Sequence, residues 1–159
     1  MTSLTVEASV HIDFPPDVAF SYTTDPAKMN RWVSNVLEAA WLGAGGYEPG
    51  AQYAIRYRWG GREHTLVHEI VSVEPGRWFE FAAVEGPYPV QGRLEFVTED
   101  NGTRFTYRQE ALADGPVTSL MFRFFGWFTR PMMARQLKRD LEALAAAIRV
   151  ERPTRESSD

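Results

Sequence analysis

The sequence predicts an α+β fold in which a curved antiparallel sheet of about seven strands wraps a long C-terminal helix, with two short helices after the first strand. Three observations predict it: an opening stretch of strict two-residue alternation, a series of short strand-like runs broken by Gly, Pro and Asn, and a closing segment whose apolar period is helical. The chain of 159 residues has the size of one ordinary domain. Residues 1–150 are expected to form that domain, and the polar stretch 151–159, which contains Pro153, a disordered tail.

From Leu4 to Phe14 the residues Leu4, Val6, Ala8, Val10, Ile12 and Phe14 alternate with polar ones, the pattern of a half-buried strand. Pro15 and Pro16 stop it, and residues 17–22 read as a short helix because proline suits a first helical turn. Asp25 can cap a second short helix with Pro26 at its first position, ending near Trp32. Six strand-like runs follow: 37–42, 52–59, 63–73, 78–84, 90–98 and 103–112. Gly45-Gly46, Gly60-Gly61, Pro75-Gly76, Gly86-Pro87 and Asp100-Asn101-Gly102 mark the breaks. Such short links favour consecutive hairpins, since parallel strands need crossovers of a dozen residues or more.

After Gly115-Pro116 the period changes. Met133, Leu137, Leu141, Leu144 and Ile148 recur at spacings of three and four, with charged residues between them, which makes a long amphipathic helix. Pro131 either starts this helix or kinks one that begins earlier. The helix has one apolar stripe and the sheet one apolar face, so each is expected to cover the other.

Composition narrows the function. Ten Phe, six Tyr and five Trp fill a dense core or line a cavity for a flat apolar molecule. The formal charge of −4 argues against a nucleic-acid partner, which a clustered basic excess would announce. With no Cys there is no disulfide and no thiolate chemistry, and no run of 18 uncharged apolar residues marks a membrane span. The expectation is a soluble, cytoplasmic protein without cofactor or metal. The oligomeric state is not readable, a homodimer being one option.

The run from Ile12 to Pro26, followed by Trp32, resembles the opening of the START-like (SRPBCC, helix-grip) superfamily, which includes polyketide cyclases and relatives of the birch-pollen allergen. The segments Val73-Glu74-Pro75-Gly76-Arg77, Gly102-Thr103-Arg104 and Leu137 to Glu142 fall in the order the resemblance expects. What it implies is a hydrophobic cavity between sheet and last helix, reached past the two small helices. It does not imply one reaction, because members of the superfamily bind lipids, hormones and polyketides, act as cyclases, or assist partner proteins.

Alternation selects candidate lining residues. Tyr53, Ile55, Tyr57 and Trp59 share one strand face, as do Phe79 with Phe81, Leu94 with Phe96, and Phe105 with Tyr107. The segment from Leu120 to Arg130 is mostly apolar, with Arg123, Gly126 and Arg130 in a narrow stripe, so the sheet, a ligand, or a membrane or partner surface must cover it. The candidate ligand-binding set is Trp32, Tyr57, Trp59, His68, Phe79, Phe81, Phe96, Tyr107, Phe124, Phe128 and Met132. An ordinary core remains the alternative for each.

His64 and His68 lie four apart, roughly 13 Å along a strand, too far to share a metal. A strand-surface position is the default for a histidine, while parity with Leu66 and Ile70 makes His68 a pocket candidate. Arg56, Arg58, Arg93, Glu95, Arg108 and Glu110 fit a solvated outer face. No phosphate loop, nucleophile elbow or carboxylate pair marks an enzyme, so the catalytic residues are unknown. Three functions compete: a binding protein for a small hydrophobic or aromatic molecule, lipid- or polyketide-like; a cyclase, aromatase or dehydratase using polar cavity groups; and a co-chaperone-like or membrane-surface module using residues 122–128.

Overall fold

A computed structural model of the chain describes residues 3–86, 89–112 and 116–151, with the backbone alone for residues 3, 117–119 and 121–129. The elements are β1 (Ser3–Ile12), α1 (Pro16–Thr23), a 3-10 helix (Pro26–Arg31), β2 (Val36–Leu42), β3 (Gln52–Trp59), β4 (Arg62–Glu74), β5 (Trp78–Glu85), β6 (Val90–Glu99), β7 (Gly102–Leu112) and α2 (Pro116–Glu151). The seven strands form one antiparallel sheet in the order β1-β7-β6-β5-β4-β3-β2. Six strands are a meander of hairpins, and β1 closes the far edge against β7.

The turn chemistry sets the hairpins. Trp59 pairs with Arg62 across Gly60-Gly61, at φ +63° and +78°, and Glu99 pairs with Gly102 across Asp100-Asn101, at φ +43° and +64°. Two central residues with positive φ match the right-handed twist of the flanking strands, and glycine and asparagine reach that conformation most easily. The first strand ends at Ile12, two residues short of the expected Phe14, because the chain turns at Asp13 to deliver Pro16 to the start of α1. Asp25 caps the 3-10 helix as expected, its carboxylate accepting from the Ala27 N–H at 3.0 Å.

The sheet bends at bulges. Ile70 pairs with Phe81 but Ser72 with Glu80, so Val71 is an extra residue that reverses the facing of the rest of β4 and brings Val73 opposite Phe79. Leu141, Leu144 and Ile148 of α2 are buried in one core with Ile12 of β1, Phe20 of α1 and Phe79, Phe96 and Phe105 of the sheet. The helix runs unbroken through Pro131, which answers the alternatives left open by the sequence. Ion pairs tie its end to the 3-10 helix: Glu151 accepts from Lys28 at 2.7 Å and from Arg31 at 3.1 Å.

The outer face carries the charges expected there. Arg93 contacts Glu80 at 2.8 Å and Glu95 at 3.0 Å, and Arg56 pairs with Glu38 and Glu63. Exposed pairs of this kind add little stability, typically about 0–1 kcal/mol. Of the expected tail, Glu151 is the last helical residue, and the remainder lies outside the described residues. Among the described residues no helix is long and apolar enough to cross a membrane.

Candidate functional site

Bending the sheet leaves space that the side chains do not fill. A cavity of about 260 Å3 lies between the inner faces of the strands and the segment from Thr23 to Val36 that runs through the 3-10 helix. Its aromatic lining is Trp32, Tyr53, Tyr57, Phe79, Phe81 and Tyr107, with Ile55, Leu66, Val90 and Leu94 as aliphatic neighbours. Thr23, Thr24, Ser34 and Asn35 supply polar groups from the helical side, and no described lining residue is Asp, Glu, Lys or Arg.

Strands β3, β4, β5 and β7 contribute residues two apart. Tyr53, Ile55 and Tyr57 come from β3, Leu66 and His68 from β4, Phe81 and Ala83 from β5, Tyr107 and Gln109 from β7. His68 pairs with Ala83 across β4 and β5, and its ring stacks on Phe81 with centroids 4.4 Å apart and planes 20° apart. Gly92 makes that stack possible. A Cβ there would sit 2.3 Å from the Phe81 ring, so only glycine lets the ring lie across β6.

The polar groups inside are neutral. Burial pushes the His68 imidazole down to about 4, so it is uncharged near neutral pH. Burial pushes the Tyr53 phenol up, and does the same for Tyr107, to which the Asp140 carboxylate adds, so both keep their protons. The Tyr53 hydroxyl and His68 Nδ1 share a hydrogen bond at 3.2 Å, and the Tyr107 hydroxyl donates to Gln109 Oε1 at 3.0 Å. Two buried groups on lining residues, Trp32 Nε1 and Thr23 Oγ1, have no partner among the described residues. At one edge Ser34 donates to the Asp140 carboxylate from its N–H at 3.3 Å, and Gln136 Nε2 donates to Asp140 at 3.0 Å, which fastens the segment after the 3-10 helix to α2.

An apolar, uncharged cavity in a sheet that grips its C-terminal helix accords with the sequence comparison: residues 3–150 match the family described as polyketide cyclase / dehydrase and lipid transport. The chain belongs to this family. Solved structures place it by fold as well. The protein TTHA0849 from Thermus thermophilus superposes with a TM-score of 0.75 at 15% identity, covering 93% of this chain and 99% of that one. The Polyketide_cyc-like protein Cgl2372 from Corynebacterium glutamicum gives 0.61 at 22% identity, covering 94% of each chain. The di-domain ARO/CYC StfQ from the steffimycin biosynthetic pathway gives 0.70 at 17% identity, covering 95% of this chain and 52% of that one. At such identities the likeness is one of fold. No curated protein sequence matches the chain.

In this polyketide cyclase / dehydrase and lipid transport family member, the structure brings together Trp32, Tyr57, His68, Phe79, Phe81 and Tyr107 from the candidate set. It separates three others from the cavity. Trp59 shares the parity of Tyr57 but ends β3 at the hairpin turn, where it is 71% exposed. Phe96 faces inward, yet the ring of Phe20 from α1 at 5.3 Å and that of Phe105 at 4.9 Å occupy the space above it, so it is core. Met132 points away from the buried stripe of α2 and is 67% exposed. Phe124 and Phe128 lie on the helical backbone of α2, with side chains outside the described residues. Lining residues outside the candidate set include Tyr53, whose strand face alternation had selected, and Thr23, Thr24, Leu66, Ala83 and Gln109. Tyr53 and Leu66 carried the signal, since each shares a face with a chosen residue.

Proposed function

We propose that this family member binds a small neutral hydrophobic or aromatic molecule in the cavity. The observation that carries the reading is a wall of aromatic and aliphatic side chains around about 260 Å3, without a charged residue among those described. Burial against such a wall contributes roughly 25 cal/mol per Å2 of apolar surface, and flat rings meet flat rings at little conformational cost. A cavity of about 260 Å3 lies at the small end of the usual range for ligand pockets, which suits a compact ligand.

A second reading, an enzyme of the cyclase, aromatase or dehydratase kind, is supported by the neutral His68, Tyr53 and Tyr107 groups on the same wall. A positioned imidazole and phenol can move protons on a ligand held beside them. The module reading drew on residues 122–128, whose side chains lie outside the described residues.

The cavity reading is tested by calorimetric titration of the chain with tetralin, 1-tetralone and 1-naphthol, alongside decanoate as an anionic chain. The expected outcome is saturable binding of the two-ring compounds with Kd well under about 1 mM, and weaker binding of decanoate. If none of the two-ring compounds binds below that level, the reading fails.

A further inference from the structure

The hydrogen bond between Tyr53 and His68 in the cavity wall favours one placement of a proton, and that placement bears on what a ligand must carry. Tyr53 is 4% exposed, and the partner of its hydroxyl among the described residues is His68 Nδ1, at 3.2 Å. A buried O–H that donates to nothing bears its full desolvation cost. The arrangement that satisfies both groups without an occupant in the cavity therefore has the phenol donating and Nδ1 accepting. A neutral imidazole has one N–H, so the proton of His68 sits on Nε2.

The ring is also held in place. Phe81 stacks on it at 4.4 Å, Tyr53 meets it edge-on at 5.3 Å and 82°, and Phe81 is itself seated over Gly92. Nε2 has no hydrogen-bond partner among the described residues, although His68 lines the cavity. Across the sheet, Gln109 Oε1 is engaged by the Tyr107 hydroxyl, which leaves the amide N–H groups of Gln109 as further donors on the wall. His68 Nδ1 and Gln109 Oε1 thus each have a protein partner, while the N–H groups at His68 Nε2 and Gln109 Nε2 have none among the described residues.

We propose that the cavity selects ligands bearing a neutral acceptor oxygen, a ketone or quinone-type carbonyl above all, which His68 binds through its Nε2–H, and that Tyr53 is the positioning residue that holds the imidazole in this tautomer. The inference rests on the cavity-binding reading above and adds the ligand's chemistry to it. A ketone accepts without bringing a donor that would need a partner of its own. A carboxylate would enter an apolar wall with no described cation to meet it. A hydrocarbon of the same shape would leave Nε2–H unpaired in the complex.

The test compares 1-tetralone with tetralin, the same ring skeleton without the oxygen, in calorimetric titrations of the full chain. Wild type should bind 1-tetralone at least about tenfold more tightly, and His68→Phe should bring the two ligands within about twofold. Nitrogen NMR of the free protein near neutral pH should show Nε2 of His68 as the protonated ring nitrogen. In Tyr53→Phe the proton should spread over both nitrogens and the preference for 1-tetralone should shrink. A wild-type preference below tenfold, a preference that survives His68→Phe, or a proton on Nδ1 in wild type overturns the inference while leaving apolar binding intact. Failure of both ligands to bind overturns the cavity reading and this one with it. The nitrogen signature and the wild-type comparison of the two ligands need no substitution, so the inference can be overturned even if a variant does not fold.

Discussion

Truncating Phe105 to alanine will destabilise the domain by about 3–5 kcal/mol, seen as a lower urea midpoint with an unchanged slope. Phe105 is fully buried in β7, opposite Val10 of β1 and Phe96 of β6. Its ring stacks on Phe96 at 4.9 Å and meets Trp32 edge-on at 6.5 Å. The substitution removes both ring contacts at once. Because β1, β6 and β7 are held by continuous ladders, the backbone cannot collapse to refill the space. A loss under about 1 kcal/mol would mean that Phe105 is not at the centre of the core.

Acid will weaken the fold through His68. Its imidazole is held at about 4 in the folded chain against an ordinary value of 6.5, by burial. The folded state therefore binds this proton less readily than the unfolded state. The stability this group contributes is fully present above pH 6.5 and is lost as the pH falls toward 4. The gap between 6.5 and about 4 corresponds to roughly 3 kcal/mol. Urea unfolding of wild type and His68→Phe at pH 7 and near pH 4.5 isolates the effect, since carboxylates titrate in both proteins. Wild type should lose about 2–3 kcal/mol more than the variant over that interval. Equal losses would show that the imidazole is solvated in the folded chain.

Much of the fold was legible because the chain writes its strands in short-range chemistry. Alternation and turn residues located β2 to β7 within one or two residues, since Gly60-Gly61 and Asp100-Asn101 can take the positive φ that a tight hairpin requires. The stripe Leu141, Leu144 and Ile148 was legible for the same reason, as helical spacing fixes which side chains share a face.

The site was harder to read. Parity says which face a residue occupies but not what stands over it, so Trp59 and Phe96 share faces with lining residues and line nothing. Bulges reset parity without a local marker: unbroken alternation from Ile70 would turn Ser72 inward, whereas the extra residue Val71 turns Val73 inward instead. The position of His68 depends on Gly92, which lies on a strand that is not its neighbour. Long-range steric permission of that sort has no signature in sequence spacing.

The central claim is that the space under the sheet is where a ligand goes, and Ala83→Phe tests it most directly. Ala83 lines the cavity opposite His68, so a phenyl ring there occupies the void without adding charge. The account predicts a folded variant whose affinity for 1-tetralone is lower by at least about tenfold, because the ring takes the volume the ligand needs. A folded variant that binds 1-tetralone as tightly as wild type would contradict it.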